Sequence, residues 1–406
     1  MLNTAFAPWP SYTEEEVNAV SAVLRSNRVN YWTGEECRHF EREFARWSEC
    51  PHAIAVANGT VALDLALHGL GIGAANGGAA TDEVIVTPRT FLASVSCVVN
   101  AGAVPIFADV DRDNGNLSAV TIAPHVTDRT KAIIVVHLAG WPADMDPIME
   151  LAESRDIKVI EDCAQAHGAR YKGRSVGSIG HIGAWSFCQD KIMTTGGEGG
   201  MVTTGDRDLW SRMWSFKDHG KSWDAVYERS HPPGFRWLHE SFGTNWRMLE
   251  MQAVLGRIQL GRMAEWTDAR THNARILRKT LLPHSAPDGV LRLPQPAEDG
   301  SVHAQYKFYA YVRPEALASG WDRDRIVAEI CSAGVPCFQG SCSEVYLETA
   351  FDGTGLRPPE RLPVARELGE TSLMWLVHPT VTDEQIRWAA EISAAVLRRA
   401  ASAEAG

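Results

Sequence analysis

The sequence predicts an α/β protein: a large domain whose mostly parallel seven-stranded sheet is covered by helices, followed by a smaller C-terminal α+β domain. Short β-rich segments alternate with helical ones through the first 200 residues, and several are apolar on both faces, as strands between two helix layers must be. The pattern changes after a long helical stretch that begins near residue 249. At 406 residues, 45% of them hydrophobic, the chain can bury two or three domain cores.

Residues 13–24 read as an amphipathic helix carrying Val17, Val20, Val23 and Leu24, with Ser11 or Thr13 as N-cap and three glutamates in the first turn. Segment 53–57 is a strand that passes through Asn58-Gly59 into a helix over 60–70, whose free N–H groups point back at the turn and suit a phosphate. Segment 71–81, rich in Gly and Ala, breaks the rhythm and is expected to be a mobile surface insertion. Further strands follow at 83–88, 104–109, 132–137, 158–162, 183–187 and 200–204. The helix from 249 to about 281 bridges the domains, and a proline-broken stretch, 283–296, follows it. Segments 304–312, 323–334 and 383–399 then read as strand, helix and helix, which gives a division into 1–270 and 271–406.

A net charge of −11 argues against a nucleic-acid partner and against an anionic membrane surface. No stretch reaches the ~18 apolar residues of a membrane span, and residues 1–9 lack a basic region followed by an apolar run, so a cytoplasmic protein is expected. The eight cysteines are neither dense nor framework-spaced, so reduced thiols are expected. Cys337 and Cys342 lie close together, but no second Cys/His pair at zinc spacing accompanies them and no metal is expected.

The chemistry concentrates around Lys191, which follows the apolar strand Ala184-Trp185-Ser186-Phe187 and precedes the glycine-rich Thr195-Gly196-Gly197-Glu198-Gly199-Gly200. An amine in that setting suits a cofactor held as a Schiff base, of which pyridoxal 5'-phosphate (PLP) is the leading case. Such a cofactor makes four demands, and each has a candidate. Gly59, Thr60 and Ser186 offer phosphate donors; Asp162, at the end of a buried strand, can keep the pyridine nitrogen protonated; Phe91 offers a flat apolar partner; Lys191 supplies the amine. Glu161 should face the opposite side of the sheet, and His137 reads as a satisfied core histidine.

Together, Asp162-x-x-Gln165, Ser186 with Lys191, Thr90-Phe91-x-Ala93-Ser94, His137-Leu138-x-Gly140 with Asp144-Met145-Asp146, and Gly243-x-Asn245-x-Arg247 resemble the DegT/DnrJ-type sugar aminotransferases over nearly the whole chain. The resemblance implies a fold-type I PLP enzyme with Lys191 catalytic and Gln165 on the ring hydroxyl. It also implies a homodimer with shared active sites, in which Asn245 reaches the neighbour's phosphate. Asn30-Tyr31-Trp32-Thr33-Gly34 matches a segment at the family's sugar pocket, making Tyr31, Trp32 and Thr33 candidate substrate contacts. Residues 334–342 depart from the commoner Gly-Ile-x-x-Arg-x-x-Tyr-x-Pro pattern, so the acceptor does not transfer. The implied activity moves an amino group from an amino acid, with glutamate the expected donor, to a keto sugar of a nucleoside-diphosphate sugar. Two alternatives differ in kind. In related PLP-dependent sugar dehydratases histidine stands where this chain has Lys191, and a non-catalytic PLP- or sugar-nucleotide-binding regulator has no need of that lysine. A dinucleotide enzyme is disfavoured, because the 196–200 glycines lack the required spacing.

Overall fold

Strands buried along nearly their whole length build a large sheet that is covered on both faces. The computed structural model describes residues 6–234, 236–295, 298–341 and 343–401; Pro296 and Cys342, named above, lie outside them. The large sheet contains β1 (His52–Val56), β2 (Glu83–Val86), β3 (Val104–Phe107), β4 (Thr130–Val136), β5 (Lys158–Asp162), β6 (Ile182–Ser186) and β7 (Gly200–Thr204). Its spatial order is β1-β7-β6-β5-β4-β2-β3. Strand β7 runs antiparallel to its neighbours β1 and β6, and the other adjacent pairs are parallel. Val84, Val86, Ile134 and Ile160 pack on one face, while Ile85, Ile133, Val135 and Val159 pack on the other, as the two-residue period of a strand requires.

Helices cover both faces. The first face takes α2 (Glu36–Trp47), α3 (Gly59–Leu70) and α4 (Ala93–Asn100), and the second takes α5 (Met145–Glu153) through Met145, Ile148 and Ala152, while α1 (Glu14–Ser26) lies against Gln259 and Arg262 of the long helix 250–281. Helix α6 (Arg207–Lys217) follows β7 and packs Leu209, Met213 and Trp214 into the first core. Because β1, β2, β4, β5 and β6 all point the same way, the loops that leave their carboxyl ends gather along one edge. Open α/β sheets bind ligands there.

Helix α7 (Glu250–Leu281) is 32 residues long and joins two cores. Ala253 and Met263 belong to the first, whereas Ala274, Leu277 and Leu281 belong to a second core built on a smaller antiparallel sheet. That sheet contains β8 (Leu291–Arg292), β9 (Phe308–Val312), β10 (Cys337–Phe338) and β11 (Ser372–Trp375), in the order β8-β9-β11-β10. Helices α8 (Arg323–Ser332) and α10 (Asp383–Ala400) pack on it, while α9 (Pro363–Thr371) sets Ala365 and Leu368 against Val110 and Tyr311. The division expected at residue 270 therefore passes through the middle of α7. Phe6 joins the second core, so the start of the described chain packs with the small sheet.

Two expectations are corrected. Segment 71–81 is hydrogen-bonded onto the core: the Asp82 carboxylate accepts the Gly73 and Ala79 amides at 3.0 Å, and the Ala75 amide donates to Ala101 O at 3.0 Å. Helix α1 does not turn its valines inward as a set. Val17 and Leu24 are 55% and 52% exposed, and the helix buries Val23 together with Glu16, whose carboxylate accepts from Gln259 and Arg262. The described cysteines are free thiols, and no described helix is long and apolar enough to cross a membrane.

Candidate active site

Asp162 closes β5 at the ligand-binding edge and is 5% exposed. Its Oδ2 accepts from Ser94 Oγ at 2.7 Å, Ser94 in turn meets Thr90 Oγ1 at 2.7 Å, and Oδ1 accepts from the Ala164 amide at 3.1 Å. Burial raises its carboxyl above the usual range, and the Ser94 and Ala164 hydrogen bonds with the charge of Lys191 only partly oppose this. Glu161 takes the other face. It accepts from the amides of Gly177, Ile179 and Gly180 and meets His137 Nε2 at 3.0 Å, so hydrogen bonding outweighs burial and holds its carboxyl low. His137 Nδ1 accepts the Ala143 amide at 3.1 Å, which makes this residue a satisfied core histidine.

Lys191 lies in the loop between β6 and β7, with its side chain 16% exposed. Its Nζ is 3.5 Å from Asp190 Oδ1 and 5.4 Å from the Tyr306 ring centroid, and its carbonyl accepts from Trp9 Nε1 at 2.8 Å. The Tyr306 hydroxyl donates to Asp190 Oδ2. Burial works against the Asp190 charge, but Lys191, Tyr306 and Lys307 hold its carboxyl below the usual range. Burial, with Arg270 and Lys191 nearby, pushes Lys307 down to about 8. Sequence reasoning missed Asp190, Tyr306, Lys307, Arg270 and Trp9. Only Asp190 left a local signal, as the residue next to Lys191.

The phosphate candidates converge. Asn58 caps α3 by accepting the Val61 amide at 2.9 Å, which leaves the amides of Gly59 and Thr60 ahead of the helix's own bonds. A Cβ on Gly59 would stand 2.5 Å from Ser186 Cβ and 3.0 Å from its Cα, so only glycine lets the turn and β6 meet this closely. Gln165 Oε1 accepts the Ala139 amide at 2.8 Å, which directs its Nε2 to donate elsewhere. Phe91 is 69% exposed rather than part of the core, with its ring free to cover a flat ligand.

Asn245 is set apart from this group. It is exposed and bridges Asp218, while Trp246 O accepts the Ala57 amide beside the phosphate turn; no recorded contact among the described residues joins it to Lys191. The sugar-pocket candidates divide. Tyr31 is 1% exposed, shares hydrogen bonds with Glu41 (3.0 Å) and Trp214 (3.1 Å) and lies 4.0 Å beneath Lys217 Nζ. It is a core residue here, and the expectation of sugar contact is corrected for it. Trp32 stands 4.6 Å from Lys221 Nζ, in the same neighbourhood as Asp218, Arg247 and Asn245, and Thr33 is exposed.

This donor set fits PLP. The glycine turn against Ser186 offers phosphate donors, the buried carboxylate of Asp162 lacks a strong counter-charge that a pyridinium would supply, and an amine stands nearby. Residues 10–393 match the DegT/DnrJ/EryC1/StrS aminotransferase family. The chain belongs to this family. The crystal structure of an aminotransferase from Psychrobacter cryohalolentis superposes with a TM-score of 0.94 at 62% identity, covering 97% of this chain and 99% of that one. GDP-perosamine synthase of Escherichia coli O157:H7 is 40% identical over 272 residues, 67% of this chain and 70% of that protein. The UDP-N-acetyl-3-dehydro-alpha-D-glucosamine 3-aminotransferase of Acidithiobacillus ferrooxidans is 34% identical over 95% of this chain and 94% of its own length. The DegT/DnrJ chain described here is a PLP-dependent aminotransferase with the α/β fold of its relatives.

The Asp162 environment yields a paired expectation. A carboxyl whose folded pKa is raised stabilises the fold below its unfolded pKa and loses that contribution as pH rises through the folded value, so at neutral pH its charge is a cost. Asp162→Asn should melt no lower than wild type as apoprotein at pH 7, while turnover falls on the order of 10³-fold. Calorimetry and steady-state kinetics on the same preparations check both halves; near-wild-type turnover would place the electron sink elsewhere.

Proposed function

We propose that this aminotransferase moves an amino group from an amino acid, glutamate being the expected donor, to a keto sugar carried on a nucleoside diphosphate. We further propose that it serves amino-sugar synthesis for glycans or secondary metabolites in the cytoplasm. The observation that carries the reading is the buried Asp162 carboxylate, held by only Ser94 and the Ala164 amide, on the same sheet edge as a Gly59–Ser186 approach that leaves phosphate donors free. The names of relatives at 40% and 34% identity, a GDP-sugar synthase and a UDP-sugar aminotransferase, support the acceptor class.

In this reading Lys191 Nζ would hold the cofactor and would carry a proton between substrate and cofactor carbons. Bound PLP supplies the electron sink that makes the donor's Cα proton labile. The Asp162 carboxylate holds the proton on the pyridine nitrogen, and Ser94 and Ala164 fix its orientation. Gln165 Nε2 donates to the ring hydroxyl, Phe91 covers the ring, and the amides of Gly59 and Thr60 with Ser186 Oγ grip the phosphate. Asp190 and Tyr306 set where Lys191 rests. Trp32 and Thr33 remain the proposed sugar contacts.

A panel of keto sugar nucleotides offered with glutamate should give amine transfer to at least one, and Lys191→Ala should retain PLP yet lose turnover. Wild type that aminates none of them while accepting a free keto cyclitol would overturn the nucleotide-sugar reading. Substantial residual turnover in Lys191→Ala would remove the proton-shuttle role.

We also propose a homodimer in which Asn245 serves the partner's cofactor. The exposed Asn245 lies in a segment that also exposes Phe242 (99%) and Trp237 (83%), apolar area that a second subunit would cover. If Asn245→Ala and Lys191→Ala are each nearly inactive, subunit exchange between them should restore part of the activity, because each heterodimer holds one intact site. No recovery, with exchange verified by native mass spectrometry, would assign Asn245 to its own subunit's site.

A further inference from the structure

Arg89 lies two residues before Phe91, in the loop that leaves β2. Its backbone is tied to the site, since the next residue, Thr90, begins the hydroxyl chain through Ser94 to Asp162. The side chain is 1% exposed. Nη1 donates to Ser343 Oγ in the small sheet's loops, and the guanidinium carbon stands 6.0 Å from the Tyr311 ring centroid. Nε and Nη2 have no hydrogen-bond acceptor among the described residues. A buried guanidinium is ordinarily paired with a carboxylate or phosphate, because an uncompensated one is costly.

The surroundings indicate what pairs with it. A Cβ on Gly115 would lie 3.5 Å from Arg89 Nε, 3.3 Å from Leu138 Cδ2 and 3.7 Å from the Tyr311 hydroxyl, so these groups enclose one small space. Leu138 and Tyr311 also line a cavity of about 400 Å³ between the small sheet and the large one, and Ala139 on the same wall donates its amide to Gln165. Tyr309, on the same face of β9 as Tyr311, is spoken for by Ser341, whose amide donates to the Tyr309 hydroxyl at 2.7 Å. Arg89 Nε thus faces a small space shared with Leu138 and the Tyr311 hydroxyl, two residues that also line the cavity, and half of its fork is unused. A half-free guanidinium fork of this kind matches the geometry of a carboxylate.

Resting on the aminotransferase reading above, we propose that Arg89 is the anion-recognition residue of the cleft and receives a carboxylate carried by a substrate. Two substrates can bring one: the amino-acid donor through its α-carboxylate, or an acceptor whose sugar is a uronate.

The test titrates holoenzyme with 2-methyl-L-glutamate, which has no Cα proton to lose, and separately with UDP-glucuronate and UDP-glucose. Arg89→Met should weaken one carboxylate probe about tenfold or more while leaving UDP-glucose unchanged, and Arg89→Lys, which keeps the charge but not the fork, should recover part of the loss. Loss confined to 2-methyl-L-glutamate assigns the carboxylate to the donor; loss confined to UDP-glucuronate assigns it to the acceptor. Apo Arg89→Met should melt no lower than wild type, because it sheds an uncompensated charge. Carboxylate probes that bind both variants within about twofold of wild type, or an Arg89→Met apoprotein that melts lower or fails to fold, would overturn the proposal and leave Arg89 a structural post. A wild-type protein that binds neither carboxylate probe would sink the functional reading as well, whereas equal binding by wild type and variants sinks the proposal alone.

Discussion

The site depends on one costly interaction, a carboxylate buried at the end of a parallel strand without a full complement of donors. Asp162 receives one hydroxyl and one amide, and burial still raises its carboxyl. Its neighbour Glu161, equally buried, receives three amides and a histidine and is held low. The contrast is the two-residue period of β5 put to work: one acid braces the sheet's back, and the next faces the ligand edge under-satisfied. A protein that leaves such a charge uncompensated in its own fold is arranged to meet a cation from outside, which a pyridinium provides.

The rest of the fold serves to bring partners to that carboxylate. Six strands running the same way deliver their loops to one edge, so residues as distant in sequence as Gly59 and Ser186 come into van der Waals contact. The small sheet closes the edge from above, with Tyr306 holding Asp190 beside Lys191 and Tyr311 standing against Arg89. Helix α7 sets this closure because it belongs to both cores.

Much of this was legible in the sequence. Strands β5 and β7 have the expected bounds, and the other strands of the large sheet lie within about three residues of theirs, since short β-rich runs between turn residues leave little ambiguity. The small sheet was harder. Strands β8 and β10 are two residues long and β11 follows α9 without a turn residue, so no local pattern marks them. Segment 71–81 has a loop's composition, but the Asp82 carboxylate and backbone bonds to Ala101 and Gly102 tie it down. Tyr31 sits in a motif associated with ligand contact, yet its partners Glu41 and Trp214 are 10 and 183 residues away, and that pairing fixes it in the core. The buried Arg89 and Arg270 and the half-buried Lys307 were equally invisible, because a lone basic residue in sequence reads as surface.

The central claim is that Asp162 keeps the cofactor's ring nitrogen charged. The direct measurement is the ¹⁵N chemical shift of PLP labelled at that nitrogen and bound to the enzyme, followed across neutral and mildly alkaline pH in wild type and in Asp162→Asn. A protonated nitrogen throughout this range in wild type, and a neutral one in the variant, is the result this account requires. A neutral nitrogen in the wild-type holoenzyme would contradict it.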